Sequence, residues 1–339
     1  MSERSPRTTP DLLGHEAAER ELVAAVRSGR LHHGWLITGT EGIGKVTLAY
    51  RFARWLLAGA PGDSLQLDAT HPVFRRMAAG GHGDLVEIAP NDKGNLGINE
   101  VRTIEPLFRR TASEGGWRIA LIEGADAMTI EAQNALLKIL EEPPKGALLI
   151  LTAAVPGRLL PTIRSRVRTL ALQPLSPDVL TQLLSRHCPD LPDGEISALV
   201  QMADGSLGRA LALREAEGLQ VYRELLALLT DLRQLPAGPL LDFAEKLGRK
   251  GGESGYGVIE QLFPDFLASV ARLAAGTDIP ARLEGEWAVA ATYAQQLGLE
   301  NSLQLWDNVR DLFTQASRLN LDRKQTLLSA LLTVKDAAA

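Results

Sequence analysis

Of 339 residues only one, Cys188, is a cysteine. That excludes an internal disulfide and a cysteine-rich zinc site, fits a reducing compartment, and leaves a lone thiol expected to be buried and inert. Basic residues are not in excess: 36 Lys and Arg stand against 41 Asp and Glu, for a formal net charge of -5. A surface that grips nucleic acid over its whole extent needs clustered Lys and Arg, so that class is excluded and any DNA contact must be local. No run approaches the roughly 18 apolar residues of a membrane span, and the opening MSERSPRTTP lacks the apolar core of a signal peptide. The expectation is a cytoplasmic protein without membrane contact. Internal repeats and low-complexity tracts are also missing.

What is there reads as ordinary globular chain, 45% apolar and 23% charged, so a sizeable core can form. The length exceeds the roughly 250 to 300 residues at which one core stops growing, which favours about two or three domains.

Residues 11 to 30 place Leu22, Ala25 and Val26 at helical spacing before an SGR stop. HHGWLITG then reads as a buried strand entering a turn, and 45 to 58 repeats apolar positions at Leu48, Phe52, Trp55 and Leu56 as a one-sided helix does. Short apolar runs at 84 to 88, 118 to 122, 147 to 152 and 169 to 172 alternate with helical segments, the pattern of a parallel sheet covered on both faces. A helix over 130 to 142 is bounded by Thr129 as N-cap and by Pro143-Pro144. After Pro174 strand-like runs cease. The expected division is an α/β domain over 1–173, a small helical lid over 174–215 and an all-helical domain over 216–339. In the last, Leu225, Leu228, Leu229 and Leu232 recur at helical spacing, and Gly248 to Gly257 is the one stretch read as a flexible loop.

GTEGIGK, residues 39 to 45, carries the glycines Gly39, Gly42 and Gly44 and the lysine Lys45 of a phosphate-binding loop (P-loop) between strand and helix. Backbone amides of such a loop cradle phosphate oxygens while the lysine reaches between the beta and gamma groups. The pattern demands a hydroxyl directly after the lysine to ligate magnesium, and here stands Val46. Thr47, one residue on, lies about 100° around the helix and takes over only with a local shift. An architectural loop is therefore as good a reading as a nucleotide site. The second nucleotide motif should be an apolar strand ending in an acidic pair. RIALIEG supplies Glu123 where the metal-orienting acid belongs, but Gly124 where a glutamate would polarise the attacking water. Loss of a general base typically removes roughly a hundred- to ten-thousand-fold in rate. Asp126 reads as a turn or cap residue.

QNALLKILEEPP at 133 to 144 and LLPTIRSR at 159 to 166 resemble the clamp-loader branch of the AAA+ ATPases, and similarity to that family's motifs runs from GHEAAE near the start to DGSLGRAL near residue 210. The resemblance implies a RecA-like parallel sheet of about five strands, a helical lid, and an all-α collar for oligomerisation. It implies a subunit of the heteropentameric loader of bacterial DNA polymerase III, active in DNA replication. Its partners would be the delta and gamma/tau subunits, primed DNA within the complex and, indirectly, the sliding clamp. In that family the serine-arginine segment presents an arginine finger in trans to ATP on a neighbouring subunit, and Arg166 matches that arginine; the alternative is a salt bridge inside its own chain. Arg164 and Arg168 are expected to be solvated or structural. Thr152 matches the position that senses the gamma phosphate, and the second-sensor arginine of the motor subunits falls on Gly208, with Arg209 one place later. Most relatives carry a four-cysteine zinc module where this chain reads DATHPVFRRMAAGGHGDLVEI. Without the cysteines no zinc is expected, His71 and His82 read as isolated surface histidines, and Val73, Phe74 and Met77 are left to hold the helical body. No cofactor is required, and weak ATP or ADP binding at the degenerate loop is left open. Arg109 and Arg110, after a helix expected over GINEVRTIEPLF, are either DNA contacts or a solvated basic face. The leading reading is an assembly subunit that does not hydrolyse ATP. The alternative is an active AAA+ ATPase of the motor or helicase-loader type, using Thr47 and Glu123 as substitutes.

Overall fold

The computed structural model describes residues 5–91, 93–113, 116–231 and 236–337. Its contacts divide the chain into two units, Met1–Leu183 with Gly205–Gly208, and Leu184–Asp204 with Arg209–Ala339. The segment 174–215, expected as a lid, is shared between them.

The first unit opens with α1 (Glu16–Arg27), β1 (Gly34–Thr38) and α2 (Lys45–Leu57), then α3 (Pro72–Ala78), β2 (Leu85–Ile88), α4 (Ile98–Arg102) and α5 (Ile104–Arg109). It continues through β3 (Arg118–Ile122), α6 (Ile130–Glu141), β4 (Ala147–Ala153), α7 (Pro161–Arg164) and β5 (Arg168–Ala171), and α8 (Pro177–His187) follows. The strands form one parallel sheet in the order β2-β3-β4-β1-β5. Side chains alternate across it, as the two-residue period of a strand requires. Trp35, Ile37, Ile119, Leu121, Leu148 and Ile150 join a core with α1, α2 and α3, whereas Leu36, Ala120, Ile122, Leu149 and Leu151 join another with α4, α5, α6 and α7. Both faces being covered, the central strands read as unbroken apolar runs.

Two local readings change. The helix over GINEVRTIEPLF is broken into α4 and α5 at Thr103, because Pro106 has no N–H to return to Arg102 and its ring crowds that carbonyl. Asp84 is buried and accepts from Ser113 N at 2.9 Å, while His82, read as a surface residue, is buried beside it with Nδ1 accepting from Asp84 N. Helix α6 is as expected, Thr129 Oγ1 accepting from Ala132 N.

The second unit is helical: α9 (Asp193–Met202), the greater part of α10 (Leu207–Glu215), α11 (Gly218–Thr230), α12 (Ala237–Gly248), α13 (Glu253–Ala274), α14 (Glu286–Leu319, broken at Gly298) and α15 (Arg323–Ala337). Its core holds Tyr222, Phe263, Phe266, Tyr293 and Phe313, several of them edge to face. On α11, Leu225 and Leu229 face inward together with Leu226, while Leu228 is half-buried and Leu232 lies outside the described residues. The loop expected over 248–257 shrinks to the four residues between α12 and α13. Its glycines serve close packing: a Cβ on Gly255 would lie 2.8 Å from Leu247 Cδ2, and one on Gly252 2.6 Å from Leu247 O. Among the described residues no helix is long and apolar enough to cross a membrane.

Candidate functional site

The glycine loop joins β1 to α2, and its three glycines sit at φ +144° (Gly39), +71° (Gly42) and +112° (Gly44), a region that disfavours any side chain. Lys45, 8% exposed, turns its ammonium back onto the loop, donating to Gly39 O at 2.9 Å and Thr40 O at 2.8 Å. Burial holds its pKa below the ordinary lysine value, opposed by the negative charges of Asp126, Glu41 and Glu123. Val46 packs on the core below α2, and Thr47 is half-buried on the next position. His15, which sequence reasoning did not single out although it lies in GHEAAE, is buried and donates from Nε2 to Ile43 O at 2.8 Å, bracing the loop from behind.

Glu123 follows β3, and its burial raises its pKa, only partly offset by Lys45. Gly124 adopts φ +59° and its N–H donates to Thr152 Oγ1 at 3.1 Å. Thr152, 1% exposed at the end of β4, thus spends an oxygen lone pair on the backbone of its own unit. Asp126 caps the turn after β4, its carboxylate accepting from Val155 N at 2.8 Å and Ala154 N at 3.2 Å.

Residues 205 to 208 close over the loop. Ser206 Oγ donates to Glu41 O at 2.7 Å, and Gly208 N donates to Gly42 O at 2.9 Å. The two glycines touch so closely that a Cβ on Gly208 would stand 2.6 Å from Gly42 Cα. Arg209, the next residue, is ion-paired to Asp204 at 2.8 Å and Asp265 at 2.6 Å in the second unit. Of the side chains that the resemblance implies for a hydrolysing site, three are missing. Position 46 has no hydroxyl, position 124 no carboxylate, and position 208 no arginine, while Lys45 and Gly42 are engaged by protein.

Arg166 lies elsewhere. The loop follows Thr38 at one end of β1, and the register that pairs Trp35 with Arg168 and Thr38 with Ala171 puts Arg166 at the opposite end of the parallel sheet. Its guanidinium, 40% exposed, donates to Thr162 O at 3.2 Å and is ion-paired to Glu141 at 3.2 Å. Arg164 is exposed, and Arg168 is structural, stacked 4.9 Å over Trp35 and paired with Glu21 at 2.8 Å. Gln133 in the QNALLKILEEPP helix, not singled out before, locks the SR segment to α6: its Oε1 accepts from Leu160 N at 2.7 Å, and its Nε2 donates to Met128 O and Arg158 O.

In the stretch where the resemblance implies a zinc module, Val73, Phe74 and Met77 of α3 are buried and His71 caps the helix by accepting from Val73 N at 3.2 Å. Among the described residues no three His, Cys, Asp or Glu side chains are placed to share a metal. Instead Arg54, 1% exposed, lies 4.4 Å over the Phe74 ring and donates to Arg7 O and Thr9 O. Arg51 beside it pairs with Glu19 and donates to Pro10 O, so the N-terminal residues are strapped across α2. Arg109 is exposed and paired with Glu105, and Arg110 donates to Gly83 O.

The family described as DNA polymerase III, delta subunit, matches residues 14–176. DNA polymerase III subunit delta' of Escherichia coli (strain K12) is 35% identical over 206 residues, 60% of this chain and 61% of that one. The delta' subunit of Pseudomonas aeruginosa is 32% identical over 224 residues, 62% and 65% of the two chains. DNA polymerase III subunit gamma/tau of Mycobacterium bovis is 30% identical over 226 residues, 66% of this chain and 38% of that one. The alignments thus span less than two thirds of the length of the delta' relatives. Residues 14–176 thus match the family of the DNA polymerase III delta subunit, and over about 60% of its length the chain is similar to DNA polymerase III delta' subunits.

Proposed function

We propose that the chain is a non-hydrolysing subunit of the clamp loader, which takes a fixed place in the ring and offers Arg166 to ATP on a neighbouring gamma/tau subunit. The observation that carries the reading is Gly124. At the position where a motor needs a carboxylate to polarise water, this chain has a glycine at φ +59° whose N–H is already bonded to Thr152. Val46 and the contact of Gly208 with Gly42 support it independently. The loop then works as architecture: it needs no cofactor and no zinc, and holds ATP or ADP weakly at most.

A guanidinium brought to a neighbour's gamma phosphate stabilises charge that develops on the transferring oxygens, worth roughly a thousandfold or more at the site it serves. Arg166 suits the task because α7 is fixed by buried Ile163 while the side chain stays partly exposed. The delta and gamma/tau subunits are the proposed direct partners, with primed DNA and the sliding clamp met through the assembled ring in the cytoplasm. Arg166→Ala in a loader reconstituted with those subunits and primed DNA tests the arginine: assembly by gel filtration should be retained and ATP turnover lowered. Unchanged turnover would remove the role.

A further inference from the structure

Both ends of the Arg166 fork are held inside the chain. One nitrogen bonds Thr162 O, at the start of its own short helix, and the other meets the carboxylate of Glu141, the last residue of α6. The backbones carrying the two groups are fixed. Leu140 and Ile163 are buried, and Gly34 at the start of β1 is wedged between Leu140 and Val167, where a Cβ would lie 3.0 Å from Leu140 Cδ2 and 3.1 Å from Val167 Cγ1. The side chains of Arg166 and Glu141 are 40% and 52% exposed, so the bond between them is made near water and can open without disturbing the core.

From this geometry we infer that Glu141 is a latch on the arginine finger, holding Arg166 in cis until a neighbour's phosphate displaces the carboxylate. The inference rests on the reading of Arg166 given above and adds a regulator to it. Phosphate and carboxylate take the same face of a guanidinium fork, so they compete rather than combine. An exposed pair of this kind shifts the released population by no more than about fivefold, weak enough for a triphosphate to overcome. Glu141 is therefore a positioning residue that sets how readily the finger is delivered, without touching the nucleotide.

The test is Glu141→Gln in the reconstituted loader with primed DNA, measured as kcat/KM for ATP, beside Arg166→Ala and the double variant. The latch predicts a rise of about two- to fivefold for Glu141→Gln, no rise in the Arg166→Ala background, and an unchanged thermal midpoint of the single chain. A fall or no change with Glu141→Gln, while Arg166→Ala still lowers turnover, would overturn the latch and leave the finger standing. If Arg166→Ala is itself without effect, the finger reading falls and the latch with it.

Discussion

Gly124 donates its N–H to Thr152 Oγ1 at 3.1 Å, joining the turn after β3 to the end of β4. On the function proposed above, two positions that would face the gamma phosphate in a motor subunit are here bonded to each other. The strand-end threonine and the glycine after Glu123 are one structural pair.

Restoring the acid should therefore fail. Gly124→Glu must place a Cβ at φ +59° and 3.2 Å from Pro90 Cγ, costing about 1–3 kcal/mol. The expected outcome is a lower thermal midpoint and no gain in ATP turnover.

Thr152→Val removes the acceptor of the Gly124 N–H inside a nearly closed site and should cost about 1–2 kcal/mol in urea unfolding, whereas Thr152→Ser keeps the oxygen and should cost less. A larger loss for Thr152→Ser than for Thr152→Val would mean that packing of the methyl, and not the hydrogen bond, matters.

Gly208→Arg, which recreates the second-sensor residue, should destabilise the fold rather than confer nucleotide binding, because its Cβ would meet Gly42 Cα at 2.6 Å. Overpacking of this type costs about 1–3 kcal/mol. Calorimetric titration with ATP should show no new binding, and the thermal midpoint should fall.

Burial raises the Glu123 pKa, so the folded chain holds that proton more tightly than the unfolded one. Between the ordinary glutamate value and the raised one, stability therefore falls as pH rises, and the ionised carboxylate remains a cost at neutral pH. Glu123→Gln should raise the midpoint at neutral pH, with the gain fading as pH falls through that window. A midpoint lowered at pH 7 would show that the Lys45 attraction outweighs desolvation.

Arg54 has its pKa lowered to about 10 by burial and by neighbouring Arg51, so holding this cation inside is itself costly. Arg54→Met removes that cost along with the bonds to Arg7 O and Thr9 O. The expected result is faster proteolytic cleavage ahead of residue 12 with a small change in midpoint. A metal chelator should leave the wild-type midpoint unmoved.

The sheet was legible because its central strands are covered on both faces and so appear as unbroken apolar runs, and the loop because only glycine tolerates its left-handed positions. The departures Val46, Gly124 and Gly208 were legible as missing oxygens and charges. Their partners were not. Thr152 and Gly124 are 28 residues apart, and Gly42 and Gly208 meet only when the chain folds back. Arg51 and Arg54 were not singled out, because the backbone carbonyls that bind them lie more than 40 residues away in the chain. Gly252 and Gly255 read as loop because the leucine that demands their smallness lies on another helix.

The central claim, that this chain does not turn over ATP itself, is tested most directly by steady-state ATP hydrolysis of the purified chain beside Lys45→Ala, alone and then mixed with delta, gamma/tau and primed DNA. The account predicts no Lys45-dependent turnover alone, and DNA-dependent turnover in the mixture that requires this chain. Robust Lys45-dependent hydrolysis by the isolated chain would contradict it and make the chain a motor.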